Sequence, residues 1–262
     1  MSTLSATAST LLTGRFDAFL MKNVLSRIFA VWALLTFMLT FFIIFLPAML
    51  TYLFPEPRST DLFIRIARFW MRIWLPLAGC RLKVTGTAFF EKGQTYIVTC
   101  NHNSMMDVPL SSPFIPGPNR TIAKKSLARI PLFGAFYRKG SVLVDRKNES
   151  SRKESYLQMK KVLANGIHMC IYPEGTRNKT GNPLAPFHGG AFRLALDTQK
   201  SIIPAVILNT RKVLPPEKTF AFLPQPLEIH FLSPIAVQAG DTAEGLREKT
   251  YKKMLDFLTK HS

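Results

Sequence analysis

Residues 28–54 form an apolar run without a single charged side chain, and no other feature of the chain restricts its fold as strongly. About 20 apolar residues suffice for a helix to cross the hydrocarbon core of a bilayer. The run is too long for the apolar part of a signal peptide. A helix that is apolar on every face over this length is also unusual as the core of a domain of this size. The sequence therefore predicts a membrane-associated helix.

Pro47 lies inside the run, so the helix is expected either to kink there or to split, with the segment dipping into the membrane and returning. Basic residues flank both ends, with Lys22 and Arg27 before the run and Arg58 and Arg65 after it. The distribution of positive charge therefore gives no clean orientation. Whether residues 28–54 span or re-enter the membrane stays open from the sequence.

Residues 59–79 follow as a second predicted helix with an aromatic-rich surface. Arg65, Arg68 and Arg72 recur at a spacing that places them on one helix face. This pattern is typical of a helix that lies in a membrane interface, and a core-packed helix with a solvated basic edge is the alternative. Residues 1–79 are thus predicted to be an N-terminal membrane-associated part, comprising the apolar helix and an amphipathic interfacial helix, and residues 80–262 a separate domain.

The net charge of +18 and the pI of about 10.1 predict an anionic partner. The chain has no zinc-finger spacing or other nucleic-acid motif, so the apolar run favours an anionic membrane and not nucleic acid. Three cysteines without a C-x-x-C pair indicate neither a disulfide framework nor a zinc site. They favour a reducing, cytosol-facing environment.

After Gly79, short β-rich runs alternate with helical stretches, which predicts an α/β domain with a mixed sheet flanked by helices. The predicted strands lie within residues 81–86, 95–100, 120–125, 141–146, 167–175, 201–208 and 227–234. Ser151 and Glu154 predict a capping box for a helix that ends near Asn165, with Gly166 as its stop. Further helices are predicted at residues 189–199 and 242–260, and the proline-rich residues 208–226 as an excursion loop.

The stretch CNHNSMMDVP follows one of these strands and places four residues between His102 and Asp107. If His102 lies in the turn before a helix and Asp107 in its first turns, the two side chains can converge. The carboxylate would then fix the imidazole tautomer and leave the other ring nitrogen free as a base. In the alternative, Asn101 and Asp107 merely cap a turn. Ser104 suggests a Ser-His-Asp triad, but no G-x-S-x-G sequence surrounds it.

NHNSMMD at residues 101–107 resembles the NHx4D motif of the glycerolipid acyltransferases, in particular the bacterial 1-acylglycerol-3-phosphate acyltransferases. Companion motifs follow in that family's order over about residues 80–240. KKSL at 124–127, IPLFG, and GSVLVDR ending at Arg146 resemble the second block, YPEGTR the third, and IIPAVI the fourth. The sequence departs from the family at Ser126, where Glu is frequent, and at His188, where Lys is usual.

The resemblance implies a role for each matching residue. His102 would be the general base and Asp107 the group that orients it. Arg177 would bind a substrate phosphate with paired donors, and Lys124 would add a positive charge. Supporting or substrate-binding roles would fall to Asn101, Glu174, Gly175 and Thr176. Backbone N–H groups would hold the oxyanion, and neither a metal nor another cofactor is expected.

The activity implied is that of a lysophosphatidate acyltransferase, which moves an acyl group from acyl-CoA or acyl-carrier protein to the sn-2 hydroxyl and makes phosphatidic acid. Its partners would be anionic membrane lipids, lysophosphatidate and the acyl donor. The expected location is the bacterial inner membrane, with the catalytic domain on the cytoplasmic face. Glycerol-3-phosphate, another lysophospholipid or an ornithine-lipid-type acceptor are the alternatives within the family. A hydrolase and a membrane-binding protein without activity are the alternatives outside it.

Overall fold

A computed structural model describes residues 2–261 of the chain, and the side chains of residues 21–261. A seven-stranded sheet carries helices on both faces and follows two N-terminal helices. The strands are β1 (Leu82–Thr85), β2 (Ile97–Cys100), β3 (Asn119–Lys124), β4 (Ser141–Val144), β5 (His168–Ile171), β6 (Ile202–Leu208) and β7 (Leu227–Phe231). The helices are α1 (Ser2–Leu50), α2 (Arg58–Leu77), α3 (Asp107–Phe114), α4 (Phe133–Lys139), α5 (Glu149–Ala164), α6 (Gly190–Thr198), α7 (Thr210–Val213) and α8 (Ala243–Lys260).

The strand order is β1-β7-β6-β2-β5-β3-β4. Strands β6, β2, β5, β3 and β4 run parallel, whereas β7 is antiparallel to β6 and β1 is parallel to β7. The sheet is therefore mixed, as predicted, and all seven β-rich runs contain a strand. The five parallel strands end on one side of the sheet, which we call the carboxyl end. Loops that follow those strands are brought together there.

Two apolar clusters sandwich the sheet, because alternate side chains of each strand point to opposite faces. Ile97 of β2 packs in the cluster that α5, α6 and α8 cover. Val98 packs in the other cluster, which α2 and α3 cover with Trp74 and Leu110 among their buried side chains. The central strands are buried on both faces, which explains why they read as continuous apolar runs.

Helix α1 packs along one side, mainly against α2 and also against α4. The Phe37 ring centroid lies 4.8 Å from that of Trp70 and 5.2 Å from that of Trp74. Trp70 Nε1 donates a hydrogen bond to Thr40 Oγ1 at 2.8 Å. The opposite side leaves many large apolar side chains exposed, Leu35 and Leu39 among them. Residues Met21–Leu53 are long and apolar enough to cross a membrane, by length and composition.

Pro47 does not split this helix, which continues to Leu50. The chain then turns through a short 3₁₀ segment, Thr51–Leu53, and returns as α2. The predicted second helix is therefore confirmed, but its arginines do not form one lipid-facing stripe. Arg68 is half-buried and donates to the Pro113 and Ile115 carbonyls at 2.6 and 2.8 Å, which ties α2 to the end of α3.

Two local predictions are wrong in detail. The start of α5 has no Ser151–Glu154 capping box, because Asn148 is the N-cap and its side chain accepts from the Ser151 N–H at 2.9 Å. The predicted end is right, since Gly166 follows Asn165 with φ +75°. Residues 208–226 are not a simple excursion. They include α7, and buried Phe222 donates its N–H to the Ser26 carbonyl of α1 at 3.0 Å. The prolines and turn residues of this loop gave no sign of that contact.

Candidate active site

His102 and Asp107 converge at the carboxyl end of the sheet. His102 lies in the loop after β2, and Asp107 is the first residue of α3. The distance between His102 Nδ1 and Asp107 Oδ2 is 2.8 Å. The pair therefore forms because the loop before α3 turns the imidazole back over the first turn of the helix. This geometry leaves the other ring nitrogen, Nε2, free to act as a base.

The Asp107 carboxylate is completely buried and held by the loop that it faces. Its Oδ2 atom also accepts from the backbone N–H groups of Asn103, at 2.6 Å, and Ser104, at 2.7 Å. Within the described residues Oδ1 has no hydrogen-bond partner. Hydrogen bonds to an ionised carboxylate are stronger than neutral ones, so they stabilise the loop and the pair together.

Glu174 fixes the backbone of His102 from the neighbouring strand. It lies in the loop after β5, where Oε1 accepts from the His102 N–H at 2.7 Å and Oε2 accepts from the Ala185 N–H at 2.9 Å. Burial raises the pKa of Glu174 above its ordinary value. In the same loop Asn178 donates its N–H to the His102 carbonyl at 2.6 Å. The loop after β5 therefore holds both the N–H and the carbonyl of His102.

Asn101 and Ser104 anchor the loop that carries His102 to β6 and to the segment that follows β6. The Asn101 side chain exchanges two hydrogen bonds with the backbone of Ile207 on β6, at 2.9 and 2.7 Å. Ser104 Oγ donates to the Leu214 carbonyl at 2.8 Å and accepts from the Met106 N–H at 3.2 Å. The Ser104 hydroxyl is thus buried and engaged away from the imidazole, which rules out its use as a nucleophile in a Ser-His-Asp triad.

Tyr172 is a site residue that the sequence analysis missed. Its ring centroid lies 4.4 Å from that of His102, with 31° between the planes. Its hydroxyl bonds to Ser111 Oγ at 2.6 Å, and burial raises its pKa well above the ordinary value, so the phenol stays neutral. The only signal in the sequence was its position just before the PEGTR stretch. An aromatic residue at the end of a buried strand usually indicates core packing.

The two predicted phosphate-binding cations lie at the same end of the sheet. Arg177 is half-buried in the loop after β5, and Lys124 is exposed at the end of β3. Neither side chain makes a hydrogen bond or ion pair within the described part of the chain. Since β2, β5 and β3 are neighbours in that order, Lys124 lies two strand spacings from the strand of His102, roughly 10 Å.

Gly175 and Thr176 complete the PEGTR turn. Gly175 has φ +72°, and a Cβ there would lie 2.7 Å from the His188 ring, so the turn requires glycine. Thr176 is exposed. No group of three or more His, Cys, Asp or Glu side chains among the described residues is placed to hold a metal ion. The three cysteines, all of them described, are free and buried.

The chain is similar to curated proteins named 1-acyl-sn-glycerol-3-phosphate acyltransferase. It is 34% identical to one from Cocos nucifera over 167 residues, 63% of this chain and 52% of that protein. It is 34% identical to one from Helicobacter pylori over 138 residues, 52% of this chain and 57% of that protein. The form named alpha from Homo sapiens is 28% identical over 183 residues, 68% of this chain and 64% of that protein. The chain therefore spans about half to two thirds of these relatives' length.

A solved structure shares the fold. It is the crystal structure of the 1-acyl-sn-glycerophosphate (LPA) acyltransferase, PlsC, from Thermotoga maritima. The TM-score is 0.73 at 20% sequence identity, over 89% of this chain and 97% of the other. Residues 81–208, which contain the clamped histidine, the PEGTR turn and six of the seven strands, match the family model described as Acyltransferase. This stretch of the chain is therefore similar to the acyltransferase family.

Proposed function

We propose that the protein is a 1-acyl-sn-glycerol-3-phosphate acyltransferase, which transfers an acyl group from a thioester donor to the sn-2 hydroxyl and makes phosphatidic acid. The observation that carries the proposal is the His102–Asp107 pair, joined at 2.8 Å and clamped from two strands. The names of the curated relatives support the choice of acceptor. The product would enter phospholipid biosynthesis.

In the proposed mechanism, neutral His102 takes the proton of the acceptor hydroxyl through Nε2 as that oxygen attacks the thioester carbonyl. Asp107 accepts from Nδ1–H, keeps the ring in this tautomer and stabilises the imidazolium that develops. When the tetrahedral intermediate collapses, the C–S bond breaks and the proton passes from His102 to the departing thiolate. The acceptor brings its own hydroxyl, so no side-chain nucleophile is needed.

Arg177 and Lys124 are the proposed phosphate ligands. A guanidinium presents paired donors that match phosphate oxygens, and an ammonium adds a point charge. Both side chains are free of protein partners within the described residues, which favours a ligand role. Glu174 is proposed to support the motif, because both of its oxygens accept from backbone N–H groups.

The acyl donor is proposed to be acyl-CoA or acyl-carrier protein, both anionic, in keeping with the net charge of +18. The exposed apolar side of α1 supports a membrane location, because so large an apolar surface is rarely left bare in a soluble monomer. We place the protein in the bacterial inner membrane with the catalytic part on the cytoplasmic face.

Purified full-length protein in lipid nanodiscs tests the activity. It would be given labelled acyl-CoA or acyl-carrier protein with lysophosphatidate, glycerol-3-phosphate or a neutral lysolipid. We expect lysophosphatidate to be preferred, with transfer abolished by His102→Ala and kept by His261→Ala, a control at the exposed C-terminus. Near-normal turnover by His102→Ala would refute the mechanism. Preference for another acceptor would refute the substrate while leaving the base in place.

A further inference from the structure

Exposed apolar side chains of the α/β part gather at the carboxyl end of the sheet. Beyond residue 80, seven large apolar side chains of the described chain are exposed. Five of them lie in loops that follow β2, β3 and β6, and we call them the apolar rim: Met105, Leu127, Ile130, Leu132 and Phe220. The other two, Phe89 and Leu157, lie after β1 and on α5, away from this end. The rim therefore surrounds the loops that carry His102.

Hydrogen bonds within the loop after β3 hold part of the rim in place. Arg138 Nη1 donates to the Ala128 carbonyl at 3.0 Å, and Gly134 donates its N–H to the Ile130 carbonyl at 2.7 Å. Leu132 and Phe220 have φ of +57° and +55°, in the left-handed region that bulky residues rarely adopt. Such a conformation costs on the order of 1–3 kcal/mol, so the fold holds these apolar side chains outward against a local cost.

Basic side chains surround the rim. Exposed basic residues lie at the end of β3 and in the loops that follow β3, β4, β5 and β6: Lys124, Lys125, Arg129, Arg146, Lys147, Lys179, Lys212 and Lys218. The exposed acidic residues of these loops are fewer, Asp145 and Glu217, and Glu217 pairs with Arg211. Apolar side chains flanked by basic residues match an anionic bilayer. The apolar side chains can enter the acyl region while the cations bind the lipid phosphates. A soluble acidic protein would match the positive charge but would not provide an apolar environment for the exposed apolar side chains.

The rim also lies close to α1. Phe133, directly after Leu132, has its ring centroid 6.0 Å from that of Phe41 on α1. Phe42, the next residue on α1, is exposed and lies beside Phe41 at 5.9 Å. The loop that carries most of the rim therefore leads directly into a helix that packs against α1.

We propose that the apolar rim is a second membrane-docking surface, on the α/β part itself, whose partner is an anionic phospholipid bilayer. Docking there turns the carboxyl end of the sheet onto the bilayer surface and brings His102 to a lipid hydroxyl. The inference rests on the proposed function in that respect, because it says how a base on the α/β part reaches an acceptor that lies in the membrane.

Site-specific fluorescence tests the proposal. Because the three native cysteines are buried, a bimane label reacts selectively with an introduced, exposed thiol. Ile130→Cys and Phe220→Cys would be labelled in the full chain, with Leu157→Cys and Phe89→Cys as controls at exposed sites away from the rim. The proteins would be reconstituted in phosphatidylglycerol nanodiscs with plain or brominated acyl chains. We expect brominated chains to remove most of the fluorescence at positions 130 and 220 and to leave positions 157 and 89 unchanged.

Equal quenching at positions 130 and 157 would overturn the proposal. Equal quenching at position 130 in phosphatidylglycerol and in neutral phosphatidylcholine nanodiscs would overturn the anionic preference. A spectral change at position 130 that depends on protein concentration without lipid would instead assign the rim to contacts between copies of the chain. None of these measurements uses acyl transfer, so a failure here and a failure of the proposed function are distinguished.

Discussion

At the residue scale, the packing of Tyr172 on His102 defines where the imidazole ring lies. Asp107 holds one ring atom, but a single hydrogen bond leaves the ring free to rotate about it. The Tyr172 ring at 4.4 Å restricts that rotation, and its hydroxyl is itself held by Ser111. The His102 ring is therefore positioned by one carboxylate and one aromatic face.

Tyr172→Leu is expected to lower kcat about 10- to 100-fold, as misplacement of a catalytic group by about 1 Å does. The KM for the acceptor should change little, because Tyr172 does not contact the proposed phosphate ligands. Tyr172→Phe keeps the ring and should recover most of the rate. Steady-state kinetics on the three proteins decide this, and equal losses in Phe and Leu variants would assign the effect to the Ser111 hydrogen bond instead.

Substitution of Arg177 tests its proposed role in binding the phosphate of the acceptor. If it grips the phosphate monoester, Arg177→Ala removes a charge-assisted contact of roughly 1.5–3 kcal/mol. That is about a 10- to 100-fold loss in kcat/KM toward lysophosphatidate. Arg177→Lys should recover part of it, since lysine keeps the charge and loses the paired geometry. Activity toward a hydroxyl acceptor without phosphate should hardly change, and equal losses toward both acceptors would refute the phosphate role.

At the element scale, the buried His168 at the start of β5 makes the stability of the folded protein depend on pH. His168 is buried, and burial lowers its pKa from 6.5 to about 4. Its Nδ1 accepts from the Tyr96 N–H at 3.0 Å, which requires a ring without a proton on that atom. The folded chain therefore binds fewer protons here than the unfolded chain. Stability that is present above pH 6.5 is lost as the pH falls toward 4.

We expect the wild-type protein to lose at most about 3 kcal/mol through this group over that interval, since one pKa unit corresponds to about 1.4 kcal/mol. His168→Gln keeps an acceptor for Tyr96 and cannot gain a proton. Its Tm should therefore fall less steeply between pH 6.5 and 4.5, even if it is lower at neutral pH. Thermal unfolding in nanodiscs across this range measures the difference, and parallel curves for both proteins would contradict the account.

At the scale of the whole molecule, an ion cluster fastens the α1–α2 turn to the α/β part. Glu56 in the turn lies 2.6 Å from Arg120 on β3 and 3.6 Å from Lys139 at the end of α4. Lys139 is buried and also contacts Ser59 Oγ. Burial would raise the pKa of Glu56, but the Thr60 hydrogen bonds and the charge of Arg120 outweigh it and hold the pKa below 4.5.

Glu56→Gln leaves two cations with no carboxylate between them and should destabilise the protein. Complete burial would make the loss about 3–5 kcal/mol, and the partial exposure of Glu56 reduces this to about 1–3 kcal/mol. Because the folded pKa is lowered, the contribution is present above about pH 4.5 and fades as the pH falls through that value. The gap in Tm between the two proteins should therefore close in acid. Glu91→Gln, an exposed carboxylate elsewhere, serves as the control.

Much of the architecture follows from local pattern. Each strand was predictable because it is a short β-rich run, and buried parallel strands have to be apolar throughout. The histidine–aspartate pair was predictable because a strand, a loop and a helix start bring the two side chains together within one short stretch. The start of α5 was predicted wrongly because Ser151 and Asn148 are both good capping residues, and only the backbone shows that Asn148 is used.

The sequence by itself determined the apolar N-terminal helix, the α/β domain and the pairing of His102 with Asp107, because each depends on residues that are close together in the chain. Only the tertiary structure decided which residues that lie far apart in the chain come into contact. Arg68 of α2 bonds to the end of α3, Tyr172 packs on His102, and Glu174 accepts from two backbone N–H groups. These roles are set by which strands become neighbours, and strand order is a property of the whole packed sheet.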